Sequence, residues 1–587
     1  MTPAPVTSLA DAVDATVADA IARAVPESDG AQALVRRSDF ADYQANAALS
    51  LAKQVGRPPR DLGTAIAEAV GGELIAEATV SGPGFVNLTV ADSVIWRQVA
   101  ARLADERLGT ATMLDGRTLV VDYSGPNIAK EMHVGHLRTT IIGDALVRIA
   151  EHLGATVVRH NHVGDWGTQF GMLIEYLSDH PEAEWHRVDE ADPTANITAL
   201  DRLYKQARTA FDADPDFADR ARARVVALQS GDEATVSIWR DLVTVSTTAF
   251  ETIYDRLGVT LGDTDYDGES GYNDQLANVV DELVSAGIAV ESEGALCVFF
   301  DDVQGPDGTP VPLMLRKSDG GYGYAATDLA TIRHRVRDLS ADEILYVVDA
   351  RQALHFQQVF ATARRAGWLP DSVTADHVAF GTVLGADGRP FKTRSGGTVR
   401  LADLLDEAEA KAAAVITEKN PDIEPRDLAG LATATGMGAV KYAELSTSRL
   451  KDYRFDTDQM VALTGNTGVY LQYAHTRMSA ILRKAAADPQ TVITDPTTLS
   501  PPERSLALHL DAYNAVLVET MAEREPHRLA AYLYALAKAF TSFYEASPVL
   551  RAETETLRNN RLALVQLSKQ TLAHGLGLLG VSAPDHM

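Results

Sequence analysis

The chain has 587 residues, a formal charge of −28, 46% hydrophobic and 23% charged residues, and one cysteine. That length holds about three or four domains of ordinary size, and the composition excludes a disordered chain. The lone Cys297 excludes an internal disulfide and a thiolate-rich zinc site, and the acidic balance weighs against nucleic acid without excluding a local basic face. The opening MTPAPVTSLADAVDATVADA has no basic n-region, and no apolar run reaches membrane-spanning length. A soluble, cytoplasmic protein is expected.

Leu9, Val13, Val17, Ile21 and Val25 form an apolar row at spacing four behind a Ser8/Asp11 capping signal, which predicts a helix. YQANAALSLAKQVG predicts a second helix, and ELIAEATVSGPGFVNLTV two strands around a Gly-Pro-Gly turn. A helix near 92–108 leads out of this small α+β module. Leu119–Val121 reads as a strand buried on both faces, followed by a helix from about Leu137 to Leu153 and a strand at Thr156–Val158. That strand–helix–strand order is the building block of a doubly wound parallel sheet.

Residues from about 175 to 265 look like a helical insertion, and ALCVFFDDVQGPDGTPVPLMLRKSDGGYGY reads as hairpins. The α/β pattern resumes with a strand at Glu343–Val348, a helix at His355–Gly367 and a strand at His377–Val383. Past about residue 425 only helical patterns remain, which predicts an all-α bundle. The expected domains are therefore 1–112, α+β; 113–425, an α/β doubly wound (Rossmann-like) sheet with its insertion; and 426–587, helical.

Two features carry chemistry. In SGPNIAKEMHVGHLRTTIIGDAL, His133 and His136 stand three apart at a helix start with Gly135 between them. A helix N-terminus favours anions, and imidazoles there can donate to phosphoryl oxygens. Alone, the pair reads equally as phosphate ligands or as ordinary core or surface histidines. Zinc would need more ligands, and His160, His162 and Asp165 offer no familiar spacing. In LGADGRPFKTRSGGTVRLADLLDEA, Lys392 and Arg394 lie in a glycine-flanked loop. Such a loop closes over a triphosphate or is simply a solvated turn.

HVGH resembles the HIGH signature of class I aminoacyl-tRNA synthetases, and the later loop stands in the place of their KMSK signature. More narrowly, DYSGPNIAKEMHVGHLRTTIIGDAL, NHVGDWGTQFGMLI, GESGYN, SDGGYGYAATDLA, PFKTRSGGTVRLADLLDEA, GAVKYAELSTSRLKDYRFD, GNTGVYLQYAHTR and the closing VSAPDHM resemble the arginyl-tRNA synthetase family. The resemblance covers most of the chain. It implies activation of L-arginine with ATP and Mg²⁺, then transfer to the 3′-terminal ribose of a cognate tRNA. It also implies a monomer that needs tRNA before it activates arginine.

By the same resemblance His133, Gly135 and His136 bind ATP, with Lys392 and Arg394 closing on its phosphates. The family's more usual loop has a lysine in the place of Ser395, and Lys130 is the candidate to replace it. Tyr324 and Asp328, at i and i+4, and Glu269 would contact the guanidinium, with Asn127 and Gln352 orienting the amino acid; His162, Asp165 and Gln169 would line the site. Tyr470, Tyr473 and Arg477 fall on one helix face and, with Met587 at the end of the chain, would bind tRNA. Without the resemblance, helix capping explains Asp328, a solvated turn Glu269, and core packing the tyrosines. An adenylyltransferase with an HxGH pair and a non-catalytic tRNA-binding relative are the competing readings.

Overall fold

The computed structural model describes residues 6–28, 31–185, 193–301, 303–304, 309–318, 320–385, 388–389, 391, 399–486 and 496–587. The chain divides into two compact units. One comprises residues up to Met113, Leu463–Leu578 and Ser582–Met587; the other Leu114–Ala462 with Leu579–Val581.

In the first unit, Ser8 caps α1 (Leu9–Ala24) by accepting from the Asp11 N–H, and Leu9, Val13, Val17 and Ile21 are buried as their spacing requires. Strands β1 (Val35–Arg37), β2 (Tyr43–Ala45), β3 (Ile75–Ser81) and β4 (Phe85–Val90) form an antiparallel sheet in the order β1-β2-β4-β3. Helices α2 (Ala47–Val55), α3 (Pro59–Ala69) and α4 (Asp92–Ala104) complete the module.

The second unit is built on β5 (Thr118–Asp122), β6 (Thr156–His160), β10 (Glu343–Tyr346) and β11 (Thr374–His377), all parallel, in the order β11-β10-β5-β6. The chain runs from β5 through α5 (Val134–His152) to β6, then returns to the other side of β5 with β10. The strand order therefore reverses between β5 and β10, and ligands of open parallel sheets bind beyond the strand ends at such a reversal. Helices α6 (Thr168–Asp179), α7 (Pro193–Ala213), α8 (Pro215–Gln229) and α9 (Glu233–Leu257) form the expected insertion. A small antiparallel sheet of β7 (Val290–Ser292), β8 (Ala295–Val298) and β9 (Leu313–Arg316) follows α10 (Asn273–Ser285). One core packs Val120 and Ile344 of the parallel sheet against Val279 and Leu283 of α10, Leu329 and Ile332 of α11 (Tyr324–Arg337), and Val359 of α12 (Ala353–Arg365).

Three boundaries differ from those expected from the sequence. α5 starts at Val134 instead of Leu137, because an imidazole caps it. The strand expected at 377–383 lies at Thr374–His377, where pairing of Glu343 with Thr374 fixes the register. Helices α13 (Leu401–Lys419) and α14 (Pro425–Leu445) lie on opposite sides of the expected boundary at 425, yet both belong to the second unit. The tie is specific: buried Arg138 of α5 donates to Glu444 of α14 at 2.7 Å and to the Lys451 carbonyl at 3.0 Å. After α15 (Thr457–Met460), the helices of the first unit are α16 (Gly468–Ala485), α17 (Pro501–Asp511), α18 (Tyr513–Glu523), α19 (Pro526–Ala546) and α20 (Glu555–Leu578).

Candidate active site

His133 is the N-cap of α5, in extended backbone at φ −125 and ψ 172. The Gly135 N–H donates to His133 Nδ1 at 3.0 Å, and the His133 N–H donates to His136 Nδ1 at 3.0 Å. This is a reciprocal capping box made of two imidazoles in place of the usual oxygen acceptors. An Nδ1 that accepts a hydrogen bond carries no proton, so each neutral ring bears its proton on Nε2. Burial lowers the affinity of both rings for a second proton; in His136, with His133 adding to it, to about 3. The rings stack with centroids 4.0 Å apart. A Cβ on Gly135 would lie 2.7 Å from His133 Cε1, so the glycine is what lets the ring fold back onto its own helix.

These rings open onto a cleft of about 620 Å³ beyond the ends of β5 and β10, at the reversal of strand order. It is lined by His133, Gly135 and His136 together with Asn127, His162, Glu269, Tyr324, Asp328 and Gln352. One cavity thus collects the two histidines and the expected arginine ligands from segments more than two hundred residues apart in sequence.

Glu269 opens a 3₁₀ turn, Glu269–Tyr272, that Asp165 holds in place. The Asp165 carboxylate accepts from the Ser270 N–H at 2.8 Å and from its hydroxyl at 2.6 Å. A Cβ on Gly268 would come within 2.4 Å of that carboxylate. Asp165 is therefore a clamp behind the turn, and it does not line the cleft. Among the described residues no donor hydrogen-bonds the Glu269 carboxylate. Burial, opposed by His162 and reinforced by Asp165 and Asp328, pushes it up to about 7. Burial disfavours a charge on His162 too, but its bond to Asp267 and the charges of Asp122 and Asp267 hold it at about 9. Fully buried Arg335 secures that cluster, donating to Asp122 at 2.8 Å and Asp267 at 3.4 Å.

Tyr324 and Asp328 occupy the first turns of α11, whose N-cap is Gly323, so Asp328 is no capping residue. Tyr324 is 75% exposed. Asp328 accepts a 2.6 Å hydrogen bond from His355 Nε2, a residue that the sequence alone did not single out. Gln352 ends the short turn before α12. Asn127 sits at an isolated bridge to Gly164, where any Cβ would strike its Oδ1 at 2.7 Å. Gln169 lies in α6, away from the cleft lining. Lys130 also stands outside that lining, its ammonium 4.6 Å from the ring centroid of Tyr204 in α7. Lys392, Arg394 and Ser395 lie outside the described residues. The backbone leading out of that stretch returns to the histidines: the Val134 N–H donates to the Val399 carbonyl at 3.2 Å, and the Leu401 N–H to the Met132 carbonyl at 2.9 Å.

In the first unit, Tyr470 of α16 packs edge-on to Tyr534, and the Arg477 guanidinium lies 4.6 Å from the Tyr544 ring centroid. Tyr473 is 51% exposed. The closing segment, which ends at Met587, is laid along α16. There His475 and Thr476 each donate to the Pro584 carbonyl at 3.0 Å, and Ser479 donates to Asp585 at 2.6 Å.

Comparison with known proteins gives the family. The profile described as "tRNA synthetases class I (R), catalytic domain" matches residues 98–457, and the chain is 61% identical to an arginine–tRNA ligase of Frankia casuarinae over the full length of both. The chain belongs to the arginyl-tRNA synthetase family. The "Arginyl tRNA synthetase N terminal domain" matches residues 9–90, and the "DALR anticodon binding domain" residues 471–587. Among solved structures, arginyl-tRNA synthetase of Plasmodium falciparum superposes with a TM-score of 0.82 at 28% identity, covering 99% of this chain and 100% of its own. The Thermus thermophilus arginyl-tRNA synthetase gives 0.79 at 26%, covering 99% and 100%. The enzyme is thus an ATP-dependent ligase that joins L-arginine to its tRNA, with the α/β, α+β and helical parts the sequence led one to expect. No helix among the described residues is long and apolar enough to cross a membrane.

Proposed function

We propose that the cleft beyond β5 and β10 forms arginyl-adenylate, with recognition and phosphate chemistry at separate groups of side chains. The observation that carries this is the sharing of one cavity by two neutral Nε2–H imidazoles and two carboxylates, one of them without a described donor. A guanidinium, five donors in a rigid fork, matches Glu269 and Asp328, and Tyr324 adds a hydroxyl at the mouth. Asn127 and Gln352 orient the α-amino and α-carboxyl groups.

An α-carboxylate oxygen then attacks the α-phosphorus of ATP in line. The new O–P bond forms as the bond to pyrophosphate breaks. His133 and His136 donate from Nε2 to phosphoryl oxygens as charge moves towards the leaving group. Because Nδ1 of each ring is occupied by a backbone N–H and Nε2 carries the proton, the pair does not suit a metal. Mg²⁺ would accompany ATP as part of the substrate and offset the charge of its triphosphate. Lys392 and Arg394 close on the same phosphates.

Lys130, whose charge already bears on His133, supplies the cation missing at Ser395 by leaving the Tyr204 ring. Lys130→Ala should then slow activation by about a hundredfold; an unchanged rate would remove Lys130 from the mechanism. The helical bundle reads the anticodon with Tyr470, Tyr473, Arg477 and the Met587 end of the chain, and the N-terminal module touches the outer corner of the tRNA. The enzyme acts as a cytoplasmic monomer. By role, the chain divides into the N-terminal module, a catalytic part that keeps α14 and α15, and the helical bundle from α16 onward.

Arginine-dependent ATP–pyrophosphate exchange, with and without tRNA, tests the proposal. Exchange with arginine but not with citrulline or lysine is expected, since one lacks the charge and the other the fork. Comparable exchange with citrulline would contradict recognition by the two carboxylates.

A further inference from the structure

We propose that His355 is a positioning residue for arginine: its Nε2–H holds Asp328 Oδ2, turns Oδ1 towards the substrate, and sets how acid weakens arginine binding. The proposal rests on the reading that Asp328 receives the guanidinium. Both residues line the cleft, and the 2.6 Å bond joins α11 to the first turn of α12 across a sequence separation of 27. The His355 ring stands edge-on to Phe356, at 74° with centroids 5.5 Å apart, and Phe356 is itself buried against Tyr346 and His377. The imidazole is thus wedged by aromatic packing, while its polar edge is spent on Asp328.

A carboxylate with one oxygen fixed loses rotational freedom before the substrate arrives, and preorganisation of this kind improves affinity without adding a contact. It also limits the ligand. Asp328 then offers one open oxygen and Glu269 both of its own, an arrangement that suits the several N–H groups of a guanidinium better than a single ammonium.

The charge consequence follows from the same contact. Neutral His355 donates its Nε2–H at no electrostatic cost to the substrate, whereas protonated His355 is already a cation on the carboxylate that must accept a second one. Burial disfavours the charged ring, but the hydrogen bond and the negative charge of Asp328 outweigh it and raise its proton affinity. Arginine binding therefore opposes protonation of His355, and affinity falls as pH falls. The other titratable groups facing this end of the cleft are Glu269, which responds in the same direction, His162, which stays protonated near neutrality, Asp122, which is paired with buried Arg335, Tyr324, Tyr346, and the Asp349–Arg351 pair, whose members neutralise each other. His377, behind Phe356, donates to the Val348 carbonyl from Nε2 at 3.0 Å and is pushed by burial towards its neutral form.

The test compares His355→Ala, His355→Gln and Asp328→Asn in tRNA aminoacylation, with arginine and ATP varied separately from pH 6 to 8. His355→Ala should raise the arginine KM roughly tenfold, the cost of a hydrogen bond to a charged group, with the ATP KM and kcat little changed. Glutamine places an amide N–H near the position of Nε2 but cannot titrate. It should recover most of the affinity while flattening the dependence of log KM on pH. An unchanged arginine KM in His355→Ala, with Asp328→Asn strongly impaired, would overturn the positioning role alone. That role also falls if His355→Gln keeps the full wild-type pH slope, a readout that remains even if the alanine variant folds poorly. Were Asp328→Asn itself to bind arginine normally, the underlying assignment of Asp328 would fall, and this proposal with it.

Discussion

The two ends of the cleft are built on opposite principles. The histidine end is local: four consecutive residues, His133 to His136, cap their own helix, and the rings are neutral because each Nδ1 is committed to a backbone N–H. The carboxylate end is assembled from afar. Glu269 depends on Asp165, Asp328 on His355, and His162 on Asp267, Asp122 and Arg335. A developing phosphoryl charge needs donors already aimed at it, which a helix start supplies with little reorganisation. A cationic substrate needs buried negative charge, and a fold keeps that only by distributing support over several segments.

The largest break in this contrast should come from the acidic end. Glu269→Gln or Asp328→Asn removes one charge opposite a desolvated guanidinium and should raise the arginine KM about a hundredfold or more. Steady-state kinetics with arginine varied checks this, and kcat should change much less. At the other end, His133→Asn keeps an acceptor near the Nδ1 position but loses Nε2–H. We expect a normally folded enzyme with kcat down by about a hundredfold and the arginine KM within a few-fold of wild type. Gly135→Ala sharpens the point without touching a donor. The added methyl pushes the His133 ring off its cap, and kcat should fall roughly tenfold through misplacement. The smallest effect belongs to the first unit: Tyr473→Ala should raise the KM for tRNA by about fivefold, the worth of one stacked base at the low end, while tRNA-independent arginine binding stays unchanged.

The same division explains what the sequence disclosed. Spacing three with an intervening glycine marked the histidines, and the i, i+4 relation of Tyr324 and Asp328 survives intact on α11. The start of α5 was misplaced because histidine is not among the usual capping residues. Strand β11 was misplaced because Thr374-Ala375-Asp376-His377 has little strand character of its own and takes its conformation from β10. Asp165 shares a motif with His162 but serves the Glu269 turn from behind, a role that only the fold reveals. Nothing in the sequence near His355 announces a partner 27 residues away. Local capping leaves a local signal; charge support across elements does not.

The central claim, neutral phosphate donors and titrating arginine acceptors in one cleft, is tested most directly by the pH dependence of kcat and of the arginine KM in the wild type and in Glu269→Gln. Glu269 binds the guanidinium when ionised and sits at about 7 in the free enzyme, so acid protonates it and raises KM. Between pH 8 and pH 6 the wild-type KM should climb by about tenfold or more, with a flatter rise in Glu269→Gln. Over the same range kcat should stay level in both, because burial keeps His133 and His136 unprotonated. A kcat that falls with acid near pH 6.5, together with an identical KM profile in the two enzymes, would contradict the account.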